Sequence, residues 1–290
     1  MLKSQRVIAV KESLISFIKE KIEEYNYRGA VVGVSGGIDS AVVLSLCVQA
    51  LGKDRVFGLI LPERDSSKDS VKDAVELCES LKVEYKIKPI TPILRKIGVY
   101  RLFPPKLFFP ESVVKRYVLN KWNSLSKDPF LDDLRNSGPN EFLKGLAYYR
   151  IKHRIRMCLL YFEAEKRGYA VVGTTNRTEY LTGLYVKWGD EAVDIEPIMH
   201  LYKTQVFELA RELNIPEKIQ KKPPSPDLIP GVTDEMAFGM SYMELDRILM
   251  KIDRGESLED EDPEKVERVK KILELAEKHR RGIPISFDRI

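Results

Sequence analysis

The sequence predicts an α/β fold in which a parallel β-sheet carries helices on both faces and a helical extension follows towards the C-terminus. Short apolar segments typical of buried strands recur along the chain, and segments with helical apolar spacing separate them. Two of these strands end in polar loops. Strands that alternate with helices form a parallel sheet, and such sheets bind ligands at the carboxyl ends of their strands.

The individual elements follow from local patterns of apolar residues. The apolar side chains of residues 4–25 have the spacing of one helical face, so a helix is expected before the sheet. The short run AVVGV then predicts a first strand, and the apolar stretch after the next loop predicts a buried helix. In chain order, the predicted strands are 30–34, 56–62, 83–90 and 169–176, and the predicted helices are 4–25, 41–51, 66–81, 146–166, 201–213, 241–253 and 262–281.

Residues 98–145 interrupt this alternation. They are rich in proline and turn residues, apart from a short helix-like stretch at 112–122. We interpret them as an insertion into a single domain that spans residues 1–290. Both a lid or partner surface and a purely structural addition are compatible with this composition.

Composition restricts the class of protein. With 290 residues, of which 43% are hydrophobic, the chain can bury a substantial core. A net charge of +4 is small for this length and gives little support to binding of nucleic acid. No apolar run reaches the roughly 18 residues of a membrane span, and the cysteines form no C-x-x-C pair, so we expect a cytoplasmic protein with reduced thiols.

The loop between the first strand and its helix has the sequence SGGIDS, residues 35–40. A glycine-rich turn at the start of a helix presents unpaired N–H groups at the positive end of the helix dipole, which suits a phosphate. The dinucleotide pattern G-x-G-x-x-G does not fit the glycines at 33, 36 and 37, and no lysine follows Gly37 as a P-loop requires. The hydrolase elbow G-x-S-x-G does fit, but it needs an earlier strand for its oxyanion hole, and residues 1–29 are mostly helical. A phosphate-binding loop is therefore favoured over a nucleophilic Ser35.

The hexapeptide resembles the pyrophosphate-binding loop S-G-G-x-D-S of the N-type ATP pyrophosphatases. Two further blocks, GTTNRTEYLTGLYVKWGDEAVDIEPIMHLYKTQVFELAREL and KKPPSPDLIPGVTDEMAFGMSYMELDRIL, are similar to the ammonia-dependent NAD synthetases. The resemblance covers most of residues 5–90 and 146–255 and stops at the insertion. It implies a Rossmann-like fold of the adenine nucleotide alpha hydrolase type, and a homodimer, because that family binds its acceptor across a dimer interface.

The resemblance also implies a reaction. ATP would activate the carboxylate of nicotinic acid adenine dinucleotide as an acyl-adenylate, with release of pyrophosphate. Ammonia would then attack the adenylate to give NAD and AMP. The chain has no room for a second domain that hydrolyses glutamine, so free or partner-delivered ammonia is implied.

Three charged residues carry the expected phosphate chemistry. Asp39 lies in a loop suited to phosphate, and its carboxylate would repel phosphate unless a cation such as Mg²⁺ lay between the carboxylate and the phosphate. The alternative is that Asp39 caps the helix. The resemblance implies Glu179 as a second metal ligand, although it could also be a solvated loop acid. Lys203 opens a helix, where a cation gains nothing from the dipole, and the resemblance implies that it holds phosphate; an ordinary surface lysine is the alternative.

The remaining site residues are those that the resemblance implies. For ATP and pyrophosphate they are Ser35, Gly36, Gly37, Asp39, Ser40, Thr174, Lys203 and Ser225, and for the acceptor they are Arg150, Lys187, Asp190 and Asp194. Ammonia must react as the neutral amine, so a nearby acid is expected to take the proton of ammonium. Asp194 is the candidate, and with Lys203 it forms the predicted catalytic pair.

The acceptor half departs from the pattern of the family. The usual N-x-K-A-R-x-R-M reads RIKHRIRM, which puts Arg150 and His153 where asparagine and alanine are typical. Ala237 replaces a common acid, and Glu196 and His200 bring in further polar groups. The alternatives are therefore a related enzyme that adenylylates a different carboxylate or an RNA base, and a nucleotide-binding regulatory module without catalysis.

Overall fold

The computed structural model describes residues 4–102, 124–224 and 233–279. Its centre is a sheet of four parallel strands in the order β3-β2-β1-β4. The strands are β1 Ala30–Gly33, β2 Val56–Ile60, β3 Glu84–Ile87 and β4 Ala170–Val172. The predicted fold class is confirmed, and all four strands lie where the apolar runs placed them.

Helices connect and cover these strands. They are α1 Ser4–Glu24, α2 Ile38–Leu51, α3 Lys68–Ser80, α4 Thr91–Lys96, α5 Pro129–Arg135, α6 Asn140–Arg167, α7 Arg177–Thr182, α8 Lys203–Glu212, α9 Glu217–Gln220, α10 Asp234–Phe238, α11 Tyr242–Arg254 and α12 Pro263–His279, with 3₁₀ turns at Lys53–Arg55 and Val99–Arg101. None of the described helices is long and apolar enough to span a membrane.

One helix boundary was predicted wrongly. The long helix α6 begins at Asn140 rather than after Gly145, and Gly145 is buried within it. The reason is that Phe142, Leu146 and Tyr149 share one face of this helix and form a small buried cluster with Val186. The predicted insertion therefore contains α5 and the first turns of α6, while its helix-like stretch at 112–122 lies outside the described residues.

The core has a layer on each face of the sheet and a third cluster in the C-terminal region. Helices α1, α2, α3 and α8 cover one face, and α4 and α6 contribute to the other. Val31 and Val32 in β1 are completely buried because helices pack on both sides. Helices α5, α7, α10, α11 and α12 bury a separate set of side chains. Of these helices, α11 and α12 form the predicted helical extension.

Candidate active site

A cavity of about 330 Å³ opens at the carboxyl ends of β1, β2 and β4. The loop after β1, the end of β2 with residues 61–62, and the segment 173–175 after β4 contribute to its wall. Further wall residues come from α6, from the loop 183–193 and from elsewhere in the chain, among them Lys203, Lys222 and Asp234. The cavity therefore lies where a parallel sheet is expected to bind its ligand.

The loop after β1 is held in shape by its own serines. The hydroxyl of Ser35 accepts a hydrogen bond from Gly37 N at 3.2 Å and lies 3.1 Å from that of Ser40, which donates to Gly37 O at 3.0 Å. Gly36 has a φ of +77°, and a Cβ there would lie 2.2 Å from Ser70 O, so only glycine fits. The partners of the Ser35 hydroxyl are not bases, and this geometry gives no support to the hydrolase elbow.

Asp39 and Glu179 lie on either side of the buried Lys203 ammonium. Lys203 Nζ is 2.5 Å from Asp39 Oδ2 and 3.5 Å from Glu179 Oε1. The other oxygen of Asp39 accepts from Asn176 Nδ2 at 3.0 Å. Asp39 is not the helix cap, because Gly37 occupies that position and Asp39 lies inside the first turn of α2.

A capping box explains how the sequence places Glu179. Asn176 Oδ1 accepts from Glu179 N at 3.0 Å, and Glu179 Oε2 accepts from Asn176 N at 3.2 Å. The box fixes the start of α7 and turns Glu179 towards Asp39 and Lys203. Glu179 is thus not a solvated loop acid.

The charges of this group are coupled. Burial raises the pKa of Glu179 to about 8, with a further increase from Asp39 that Lys203 opposes. Burial alone would lower the pKa of Lys203, but Asp39 and Glu179 outweigh it and raise that pKa above its ordinary value. The ammonium is therefore permanently charged, while Glu179 needs additional positive charge to ionise fully at neutral pH.

The two carboxylates fit a magnesium ion shared with phosphate. Mg²⁺ prefers oxygen ligands and is commonly held by one or two carboxylates together with substrate phosphates and water. Within the three described stretches, no group of three or more His, Cys, Asp or Glu side chains forms a complete metal site. A pair of carboxylates suits an ion that is shared with the phosphates of a nucleotide.

A buried carboxylate from the C-terminal region supports this group. Asp246 in α11 accepts from Thr178 Oγ1 at 2.6 Å and from Thr204 N at 2.7 Å. Thr178 Oγ1 in turn accepts from Lys203 N at 3.0 Å. One side chain of α11 thus ties the start of α7, which carries Glu179, to the start of α8, which carries Lys203. No local sequence pattern indicates this role of Asp246.

Two more residues of the cavity wall were not predicted. Lys222 Nζ donates to Ser70 Oγ at 2.7 Å and lies 3.4 Å from Gly36 O, so its charge is next to the phosphate loop. Asp234 is buried and accepts from Tyr242 Oη at 2.7 Å. The sequence signal for Lys222 is its place in the proline-rich segment KKPPSP. Asp234 has no such signal, because an acid in the first turn of a helix is common.

The acceptor residues of the prediction divide into two groups. Asp190 lines the cavity, together with Thr174, which was predicted for ATP and pyrophosphate, and with His153. Asp190 is held by Val186 N, which donates to its Oδ1 at 2.7 Å. Glu196 accepts from Thr175 N at 3.1 Å and packs against Gly173, where burial raises its pKa well above the ordinary value.

Arg150, Lys187 and Asp194 do not line this cavity. The Arg150 guanidinium is engaged by Asp133 and by Asn136 Oδ1 at 2.6 Å, so it holds α5 against α6. Asp194 Oδ2 accepts from Val171 N at 2.8 Å, beside the middle of β4, and its Oδ1 accepts from a tyrosine hydroxyl of α6 at 3.2 Å. The role of Asp194 in accepting the proton of ammonium stays a prediction, and its carboxylate lies beside β4 rather than in the wall of the described cavity.

Two of the residues singled out in the sequence, Lys187 and Ala237, lie away from the cavity wall. Lys187 is outside the cavity wall, and its carbonyl accepts from Arg154 of α6 at 3.2 Å. Ala237 packs into the C-terminal cluster, so the replacement of an acid there does not alter the described cavity. Ser225 lies outside the described residues.

The fold and the site together define a class. A glycine-rich loop after the first strand of a parallel sheet, with two carboxylates and a buried lysine at the same edge, is the arrangement of a nucleotide-binding α/β enzyme that works on phosphates. The sequence pattern of the NAD synthase family matches residues 10–103 and 128–284. The chain belongs to this family.

Relatives and solved structures agree with this assignment. The chain is 85% identical over 290 residues to the NH(3)-dependent NAD(+) synthetase of Thermotoga neapolitana, with both chains covered completely. It is 86% identical over 281 residues to that of Thermotoga maritima, covering 97% of this chain and 100% of the relative. Among solved structures, an NH3-dependent NAD synthetase from Campylobacter jejuni matches with a TM-score of 0.71 and 27% identity over 97% of this chain and 99% of the other. An NMN synthetase from Francisella tularensis matches with a TM-score of 0.73 and 27% identity, covering 97% of this chain and 98% of the other.

Proposed function

We propose that this chain is an ammonia-dependent NAD synthetase, a carbon–nitrogen ligase that amidates nicotinic acid adenine dinucleotide through an acyl-adenylate. The observation that carries the proposal is the set of Asp39, Glu179 and Lys203 beside the SGGIDS loop. This set has the charges needed to hold ATP and to stabilise departing pyrophosphate. The high identity to the NH(3)-dependent NAD(+) synthetases of two Thermotoga species supports the choice of acceptor.

The residues of the chain divide the work on ATP. The loop 35–40 leads into the start of α2, where an anion is favoured. Lys203 and Lys222 add positive charge on two sides of the loop. Asp39 and Glu179 would hold Mg²⁺, which when bound screens the charge of the phosphates and of the leaving pyrophosphate.

The activity test is direct. The purified protein with ATP, magnesium, ammonium and nicotinic acid adenine dinucleotide is expected to form AMP and NAD in equal amounts. Nicotinic acid mononucleotide is the informative competing acceptor, because a similar structure is that of an NMN synthetase. Amide formation only on the mononucleotide, or none on either acceptor, would overturn the proposed activity.

Magnesium binding is expected to strengthen as pH rises. Below its pKa of about 8, Glu179 is protonated for most of the time, and the metal must displace that proton. The free Mg²⁺ concentration at half-saturation should therefore fall about tenfold from about pH 7 to about pH 9. Calorimetry with a non-hydrolysable ATP analogue measures this, and Glu179→Gln should show a much flatter dependence. An equal slope in both proteins would show that Glu179 is not a ligand.

Localisation and assembly also belong to the proposal. We propose a cytoplasmic enzyme, in agreement with three free cysteines, of which Cys47 and Cys78 are buried. We propose a homodimer on the basis of the family resemblance.

A further inference from the structure

His153 lines the cavity but has no role in the reaction proposed above. It lies on α6 and lines the cavity with Asp190 and Gly189. Its side chain is only 14% exposed. The Nε2 atom is buried and has no hydrogen-bond partner among the residues that the structure describes. A buried polar atom in a binding cavity costs free energy unless a ligand satisfies it.

The neighbouring carboxylate indicates which nitrogen of the imidazole carries the proton. Nδ1 of His153 lies 3.5 Å from Asp190 Oδ2. Asp190 is itself fixed through Val186 N, and Glu191 holds the same turn by accepting from Trp188 N at 2.9 Å. A carboxylate beside Nδ1 favours the tautomer that carries its proton there. Nε2 is then left with a lone pair, which is a hydrogen-bond acceptor.

The surroundings keep this imidazole uncharged. Burial lowers the pKa of His153 well below its ordinary value, and Arg156, Lys152 and Arg154 on the same helix lower it further. Each of these cations has partners of its own: Lys152 contacts Glu63 and Asp65, and the two arginines donate to backbone carbonyls. A neutral imidazole with a lone pair can accept an N–H group, whereas imidazolium would repel ammonium.

We propose that Nε2 of His153 accepts a hydrogen bond from the ammonia nucleophile, as ammonium or as the amine, and so helps to hold it in the cavity. This proposal rests on the proposed function. An acceptor atom next to the Asp190 carboxylate attracts an N–H donor and repels the anionic oxygens of a phosphate or carboxylate. Because alanine is typical at this position of the family motif, His153 would be an addition that strengthens the capture of ammonia rather than a requirement of the reaction.

The test separates two half-reactions. Exchange of labelled pyrophosphate into ATP, with nicotinic acid adenine dinucleotide and without ammonia, reports formation of the adenylate alone. His153→Ala should leave this exchange within about twofold of wild type and raise KM for ammonium about tenfold, the effect of one lost hydrogen bond in a buried site. KM values for ATP and for the dinucleotide should not change.

A conservative variant and a matched control complete the experiment. His153→Gln retains an acceptor atom near the position of Nε2 and should restore most of the affinity for ammonium. His200→Ala removes a histidine that does not line the cavity and should change no constant. An unchanged KM for ammonium in His153→Ala, a raised KM for the dinucleotide instead, or parallel loss of exchange and amidation would overturn the proposal. Absence of exchange in the wild-type protein would instead reject the proposed function itself.

Discussion

Replacement of Asp39 by asparagine is expected to lower magnesium-dependent pyrophosphate release by about 100- to 1,000-fold, or roughly 3–4 kcal/mol of transition-state stabilisation. Asparagine removes the charge that would bind the metal but keeps an oxygen to accept from Asn176 Nδ2, which now lies 3.0 Å from Asp39 Oδ1. The fold should therefore survive the change. The rate of pyrophosphate release with saturating ATP and acceptor measures the catalytic effect. The thermal unfolding midpoint of the same variant shows whether it folds normally.

A matched control is available on the same sheet. Asp54 is an exposed acid in the 3₁₀ turn before β2, where it pairs with Lys53 at 2.8 Å. Asp54→Asn makes the same chemical change at the opposite end of the strands and should leave turnover intact. If Asp39→Asn retained turnover within about threefold of wild type while folding normally, Asp39 could not be a metal ligand in the rate-limiting step.

The sheet and the phosphate loop were predictable because their signals are local. A buried strand, a glycine-rich turn and an apolar helix stand together in residues 30–51, and each has a pattern of its own. Asp39 and Glu179 are 140 residues apart, yet they follow β1 and β4, which are neighbours in the sheet. A parallel sheet brings the ends of adjacent strands together, so the topology alone places both acids at one edge.

The positions of other predicted site residues depend on contacts that no local pattern encodes. Asp190 and Asp194 are four residues apart and looked equivalent in the sequence, but the chain between them turns back along β4. Asp190 reaches the cavity, whereas Asp194 bonds to Val171 N beside the middle of that strand. Arg150 looked suited to an anionic acceptor, but Asp133 of α5 already neutralises it.

Asp246 was missed for the same reason. It looks like one acid among many on an amphipathic helix, and only the tertiary structure shows it bonded to Thr178 and Thr204. Its position is set by how α11 packs on α8, and the partners lie 68 and 42 residues away in sequence. Residues that support a site from another element are invisible to motif analysis unless several sequences are compared.

Replacement of Lys203 by methionine is expected to abolish most activity and, at the same time, to strengthen the binding of magnesium in the absence of nucleotide. Methionine has a similar length but no charge, so Asp39 and Glu179 would lose the cation that now lies 2.5 Å and 3.5 Å from them. Loss of a charged contact to phosphate should reduce turnover by about 100-fold or more. The two carboxylates, freed from the ammonium, should then bind a divalent cation more tightly than they do in the wild type.

The opposite signs of these two effects distinguish the roles of lysine and metal. A lysine that merely stabilised the fold would lower both kinds of binding when removed, because the carboxylates would move apart. A lysine that holds phosphate competes with the metal for Asp39 and Glu179 in the nucleotide-free protein. When ATP binds, the ammonium contacts the phosphates instead, and the competition ends. Titration of the nucleotide-free protein with Mg²⁺, followed by titration with a non-hydrolysable ATP analogue, should therefore give tighter metal binding and weaker nucleotide binding in Lys203→Met. Weaker binding of both ligands, in a variant that unfolds at the wild-type temperature, would contradict a phosphate role for Lys203.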